Sequence, residues 1–151
     1  AAPGVWPDRR DAALAEFHRR YAGNALVIDK WFTTQALSTR PDTPAAVATL
    51  TRHPDFSLAN PNRFRALIGA FSVNQRAFHT ADGQGYALLA EQIAAIDAVN
   101  PQTAAKLVPA LGRWRRFDGQ RQTKMRAALE AIVARRGVSK DVYEQVSKSL
   151  A

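Results

Sequence analysis

The three histidines, His18, His53 and His79, are the side chains of this sequence best suited to bind a metal or to transfer a proton near neutral pH. A helical zinc site needs two histidines at i and i+4, as in H-E-x-x-H, and none of the three has such a partner. The sequence also lacks cysteine, which excludes disulfides, cysteine-bound zinc and a thiol nucleophile. We therefore expect no metal site in this chain, and histidines that cap helices or face solvent.

Two other kinds of catalytic motif are incomplete. No serine lies in a G-x-S-x-G turn, so nothing indicates a serine nucleophile. The loop Asp82-Gly83-Gln84-Gly85 has the glycines of a phosphate or calcium loop, but it lacks both the G-K-[ST] ending and the spacing of acidic ligands. The sequence predicts a turn between helices here and no catalytic residue in the chain.

Basic residues are concentrated in the last third of the sequence. Lysine and arginine number 21 against 13 aspartates and glutamates, and residues 100–151 hold 11 of the former and 4 of the latter. Such a field attracts a polyanion, an acidic protein surface or an anionic substrate. Arg113-Trp114-Arg115-Arg116-Phe117 interleaves cations with aromatic rings, so one hypothesis is nucleic-acid binding through Arg113 to Arg126. The other is a buried Trp114 with arginine stems packed around it.

Two groups of polar residues lie opposite the apolar stripes of their helices. Gln102 and Lys106 are four residues apart on one predicted helix, and Asn62 and Arg65 are three apart on another. The two faces could line one concave, substrate-binding surface. They could equally be ordinary solvent-exposed faces.

The segments that carry these residues show the apolar periodicity of helices throughout. Apolar residues recur at intervals of three and four, without sustained alternation, which predicts an all-α fold. Three helix starts have an N-cap before a first-turn proline: Asn60-Pro61, Asn100-Pro101 and Thr43-Pro44. Pro109 should kink or locally loosen the helix that begins at Asn100. We predict about eight or nine helices in antiparallel pairs, as a short α-solenoid of the armadillo or HEAT kind or an irregular bundle.

Length and composition predict one soluble domain over residues 1–151. With 46% apolar residues, the 151-residue chain is long enough for one core and short for two. No apolar run approaches the roughly 20 residues of a membrane span, and the N-terminus lacks the pattern of a secretion signal. The absence of an initiator methionine suggests an excised or processed piece.

A known family shares the longest motif of this sequence. Asn60 to Phe71 (N-P-N-R-F-R-A-L-I-G-A-F) resembles the N-P-N-R-x-R-x-L-I-G-A-F signature in the C-terminal helical domain of bacterial aminopeptidase N, a zinc metallo-aminopeptidase of the gluzincin family. The resemblance runs from about residue 8 to the end, because further similar stretches follow the family's order: Asn24 to Phe32, Ala77 to His79, Asp82 to Tyr86, Asn100 to Gln102 and Lys124 to Glu130.

The resemblance implies a cytoplasmic, zinc-dependent exopeptidase that removes N-terminal residues, with alanine and basic residues favoured. In that family a thermolysin-like catalytic domain is capped by an all-helical superhelical domain, and this chain resembles only the cap. The zinc motif is therefore expected on other domains of the same polypeptide, which would be the partners of this chain together with peptide substrates. We expect the isolated chain to be inactive, with no membrane partner.

The family's channel residues can be carried over to three positions. The cap closes over the active site, and its polar residues reach towards the far end of the substrate, which implies substrate-channel roles for Arg65, Gln102 and Lys106. Lys106 stands where a member of the family has arginine, so it keeps the charge but loses bidentate geometry. The apolar helix faces around Trp6 and Trp31 are expected to pack on the missing domains.

Overall fold

The structure, a computed structural model, describes the backbone of residues 5–151 and the side chains of residues 9–151, and over these residues it is helical without any strand. The all-α prediction is confirmed. The segments are α1 Val5–Tyr21, α2 Ala25–Ala36, α3 Thr43–Leu50, α4 Pro61–Phe64, a π turn Arg65–Gly69, α5 Ala70–Val73, α6 Gln75–Phe78, α7 Gln84–Asp97, α8 Pro101–Leu107, α9 Pro109–Gly112, a 3₁₀ turn Trp114–Arg116, α10 Gly119–Ala134 and α11 Lys140–Leu150.

Asparagine caps begin the helices at the predicted places. The side chains of Asn60 and Asn100 each accept a hydrogen bond from the backbone N–H three residues further on, and a proline follows each of them. The third predicted start is shifted by one residue. Asp42 precedes α3 without a capping bond, and Thr43 is the first residue of the helix. The Thr43 hydroxyl donates to the Ser38 carbonyl at 3.1 Å.

Two irregular turns interrupt otherwise continuous helices. Between α4 and α5 the Ala70 N–H donates to the Arg65 carbonyl, five residues back, which defines the π turn. The Thr33 hydroxyl donates to the Ala66 carbonyl at 2.7 Å and satisfies a backbone acceptor of the widened turn. The local loosening predicted at Pro109 is found as an interruption of the helix, since α8 ends at Leu107 and α9 begins at the proline.

The helices stack mainly on neighbours close in sequence, which fits a solenoid-like arrangement. Helix α2 packs on α3 and on the π turn, α7 packs on α8 and α10, and α11 packs on α8, α9 and α10. A single apolar core runs through the stack, and its largest fully buried side chains are Tyr86, Phe32, Phe64, Phe71, Phe78 and Ile28. In the described part of the chain, no helix combines the length and apolarity that a bilayer crossing needs.

Candidate functional site

The two arginines of the longest motif have opposite environments. Arg63 is buried, and its guanidinium donates to the Asp29 carboxylate at 2.5 Å and to the Asp55 carbonyl at 2.5 Å. Arg65 is exposed at the start of the π turn, and its guanidinium donates to the Asn62 side chain at 2.7 Å. Arg63 thus fixes the motif within the fold. Arg65 extends from it into solvent, on a turn type that is frequent at functional sites.

Gln102 and Lys106 lie on the exposed face of α8, one helical turn apart. Ala104 on the same helix is fully buried, so the helix faces the core on one side and solvent on the other. Among the described residues, neither Gln102 nor Lys106 has a hydrogen bond or ion pair through its side chain, and none joins either of them to Arg65. The structure therefore exposes both predicted polar faces without bringing them into contact.

The aromatic rings of the basic segment are covered. Trp114 is only 8% exposed, and its Nε1–H donates to the Ser149 carbonyl at 3.0 Å. The guanidinium groups of Arg115 and Arg126 lie over its ring, 4.1 Å and 5.0 Å from the centroid. This arrangement agrees with the interpretation of arginine stems around a buried Trp114. The covered ring has no free face on which a nucleic-acid base could stack.

The glycine-rich loop is a capping turn for α7. The Asp82 carboxylate accepts from the Gln84 N–H at 3.0 Å and from the Thr80 hydroxyl at 2.8 Å. These bonds, the Gln84 N–H foremost, hold the pKa of the Asp82 carboxyl below its usual value. Gly83 has a left-handed φ of 75°, which glycine adopts without strain. The geometry is that of the turn predicted from the sequence.

His79 is half-buried at the edge of the core. Its Nδ1 lies 2.7 Å from the Tyr86 hydroxyl, and its ring stacks on Phe117 with centroids 4.2 Å apart. Burial lowers the pKa of His79, and the nearby Arg121 and Arg113 charges lower it further. The neutral ring is therefore the form that the fold favours, and its contacts are structural.

His18 and His53, far apart in sequence, meet in the fold. Their ring centroids are 4.9 Å apart, and His18 Nε2 lies 2.5 Å from an Asp55 carboxylate oxygen. Burial lowers the pKa of His53, an effect that the Asp55 charge opposes and that His18 and Arg63 reinforce. Sequence spacing missed this cluster, because the contact between α1 and the loop after α3 is made only by the tertiary fold.

The exposed apolar surface is only partly the predicted one. The Trp6 side chain lies outside the described residues. The Trp31 side chain is buried within the chain, where its Nε1–H donates to the Leu14 carbonyl at 2.9 Å, while the packing of the face around it on other domains stays a prediction. The large apolar side chains left exposed at this end are those around the α1–α2 turn: Phe17, Tyr21 and Leu26.

The stacked helices, the single core and the exposed polar faces define an all-α, solenoid-like domain without a recognisable catalytic motif in its sequence. The chain belongs to the family described as "Domain of unknown function (DUF3458_C) ARM repeats", whose model matches residues 4–151. The armadillo-like α-solenoid predicted from the sequence is thereby confirmed.

Curated relatives and a solved structure connect the chain to aminopeptidases. It is 48% identical to aminopeptidase N of Caulobacter vibrioides over 142 residues, or 93% of the chain, and 44% identical to aminopeptidase N of Escherichia coli over 143 residues, or 94% of the chain. A crystal structure of Legionella pneumophila aminopeptidase A in complex with aspartic acid matches 97% of the chain with a TM-score of 0.89 and 35% identity. The chain spans 16% of the length of each of the two curated relatives and 17% of the Legionella chain. The predicted resemblance to aminopeptidase N is confirmed.

Proposed function

We propose that this chain is the C-terminal helical cap of a larger, zinc-dependent aminopeptidase, and that it closes the active-site cavity and lines the substrate channel. The observation that carries the proposal is the coverage: nearly the whole chain aligns with aminopeptidases, yet it spans only 16% of their length. A segment of that size contributes a domain to the enzyme. Since the sequence has no H-E-x-x-H, its residues do not fit the catalytic zinc, which we assign to another part of the same cytoplasmic polypeptide.

The exposed apolar cluster at the α1–α2 turn supports a partner within that polypeptide. Phe17 and Tyr21 have ring centroids 4.8 Å apart and are 40% and 38% exposed, and Leu26, at the start of α2, is 73% exposed. Adjacent apolar side chains of this size favour contact with other protein surface over contact with water. We assign this face to the remaining domains of the parent aminopeptidase.

Arg65, Gln102 and Lys106 are proposed as the channel wall. A peptide held by its N-terminus must place its remaining residues and its terminal carboxylate within the closed cavity. Arg65 and Lys106 carry exposed positive charges, and no ion pair in the described part of the chain neutralises either of them. A desolvated cation can donate charge-assisted hydrogen bonds to that carboxylate, each stabilising the complex by about 1.5 to 3 kcal/mol.

The test compares long and short substrates in the full-length parent enzyme. Arg65→Ala and Lys106→Ala should each lower kcat/KM for a tetrapeptide by about 10- to 100-fold, since 1.4 kcal/mol corresponds to tenfold. An amino-acid amide has no distal carboxylate, so its kcat/KM should change little. Arg76→Ala and Lys148→Ala remove exposed charges outside the proposed wall and serve as controls.

The ratio of the two kcat/KM values decides the channel role. A ratio unchanged from the parent in both variants would refute it and leave the family membership standing. An equal loss on both substrates would also count against the channel role, because general destabilisation affects every substrate alike.

A further inference from the structure

His18, His53 and Asp55 form a compact cluster of metal-binding side chains that the proposed channel does not use. Each of the three offers one ligand atom, and these atoms lie within 4.8 Å of one another. All three side chains are partly exposed, so they remain accessible to an ion from solvent. Two imidazoles and one carboxylate are a donor set that borderline divalent metals bind well.

We propose that His18, His53 and Asp55 bind one zinc ion, with water completing its coordination. This inference from the tertiary structure reverses the expectation from sequence that the chain has no metal site. It is independent of the proposed aminopeptidase role, because it rests on this cluster alone.

The required movement of the ligand atoms is small. Zinc binds imidazole nitrogen and carboxylate oxygen at about 2.0 to 2.2 Å, so tetrahedral ligands lie about 3.3 Å apart. His18 Nε2 and the Asp55 oxygen, now 2.5 Å apart, must separate by a little under 1 Å. The widest pair, within 4.8 Å, must close by about 1.5 Å at most. Rotations of partly exposed side chains cover both distances.

The protons can be accounted for. His18 Nε2 faces the Asp55 carboxylate, and zinc can bind this nitrogen only when it carries no proton. A neutral ring then holds its one proton on Nδ1, and a doubly protonated ring releases its Nε2 proton to solvent. His53 Nδ1 accepts the Asp55 backbone N–H at 3.0 Å. Coordination through this nitrogen replaces that hydrogen bond, and coordination through Nε2 requires the ring to shift its proton to Nδ1. Water can replace each hydrogen-bond partner that is lost when zinc binds.

Neighbouring groups restrict the three ligands before an ion arrives, so that only the side-chain rotations described above are needed. The Trp31 ring lies 4.8 Å from the His18 ring and 5.2 Å from the His53 ring, so a buried side chain supports both imidazoles. Arg63 donates to the Asp55 carbonyl and fixes the loop, while its pairing with Asp29 offsets the positive charge nearest the site. Supported ligands of this kind raise metal affinity, because less ordering is needed on binding.

A shallow pocket of about 400 Å³ gives access to the two imidazoles of the cluster, whereas Asp55 lies outside its lining. Asp11, Arg19, Trp31 and Gln35 also line it. The pocket leaves room for the waters that a site with three protein ligands needs.

Zinc titration of the untagged 151-residue chain, followed by isothermal calorimetry at about pH 7.5, tests the proposal. We expect one equivalent to bind, and His18→Gln, His53→Gln and Asp55→Asn each to weaken the affinity by at least about tenfold, since even outer-shell partners contribute 10- to 100-fold. His79→Gln removes the third histidine and leaves the cluster intact, so its affinity should stay within about twofold of the wild type. Absence of saturable binding, or binding that survives all three cluster variants, would overturn the proposal.

A measurement on the unmodified chain covers the case in which a cluster variant fails to fold. One equivalent of zinc should shift the imidazole ¹⁵N resonances of His18 and His53 and leave those of His79 in place. Zinc should also raise Tm, because an ion that binds only the folded state stabilises it. Equal shifts at all three histidines, or shifts at His79 alone, would refute the assigned site.

Discussion

Gly85 lies at the closest approach between α7 and the chain that precedes it. A Cβ built on Gly85 would lie 2.2 Å from the Phe78 carbonyl oxygen, whereas ordinary contacts of this kind begin at 3.4 Å. The Gly85→Ala variant must therefore separate two backbone segments by about 1 Å. Phe78 resists this movement because its side chain is fully buried and packs edge-on against Tyr86, with centroids 5.2 Å apart.

The expected loss of stability follows from this rigidity. Overpacking a core usually costs about 1 to 3 kcal/mol, and we expect about 3 kcal/mol here because the obstacle is backbone and cannot rotate away. For a domain of this size, 1 kcal/mol corresponds to about 2 to 4 °C, so Tm should fall by about 6 to 12 °C.

Urea unfolding followed by far-UV circular dichroism measures the difference. Gly119→Ala is the matched control, because a Cβ at Gly119 meets no atom within 4 Å and alanine favours the helix. That variant should be unchanged or up to about 1 kcal/mol more stable. If Gly85→Ala lies within about 1 kcal/mol of Gly119→Ala, the inferred contact with Phe78 is wrong.

Three further changes probe buried polar groups. Tyr86→Phe removes the hydroxyl bonded to His79 and should lower the free energy of unfolding by about 1 kcal/mol in urea titrations. Burial lowers the pKa of His79 below 6.5, so the unfolded state binds the proton more readily and stability should fall as pH drops below about 6.5. This fall should be smaller in His79→Gln, and parallel pH profiles would contradict the assignment. Asp97→Asn weakens a buried acceptor for Arg135 and should cost about 2 kcal/mol, with faster amide exchange in α11.

The sequence was sufficient to predict the helix boundaries that depend only on residues nearby in the chain. Asn60 and Asn100 cap their helices as expected, because capping needs only a side chain and the N–H groups of the next turn. Pro109 breaks its helix for an equally local reason. The π turn Arg65–Gly69 was not predicted, because the apolar stripe around it also fits a continuous α-helix.

The candidate sites depend on features that spacing does not contain. Arg65, Gln102 and Lys106 were selected with help from a family resemblance, and the structure adds that all three are exposed. The meeting of His18 with His53 could not be predicted, since their helix and loop are brought together by tertiary contacts, among them packing on Trp31 and the contact of His18 with Asp55. Tertiary contacts of this kind have no signature in the spacing of one sequence.

Burial divides the charges of this chain into those that hold the fold and those that remain available for binding. Arg63 and Asp29 form an ion pair with side chains only 10% and 18% exposed, and removing one partner of such a pair typically costs about 3 to 5 kcal/mol. Arg65, two residues further on, lies in solvent, where replacing a charge changes stability by about 0.5 kcal/mol or less. In the substrate comparison proposed above, a loss at Arg65 confined to the tetrapeptide would therefore support substrate contact, whereas a loss on both substrates at Arg63 would report on folding. Residues two apart on a helix lie on opposite faces, so Arg63 points into the fold and Arg65 into solvent.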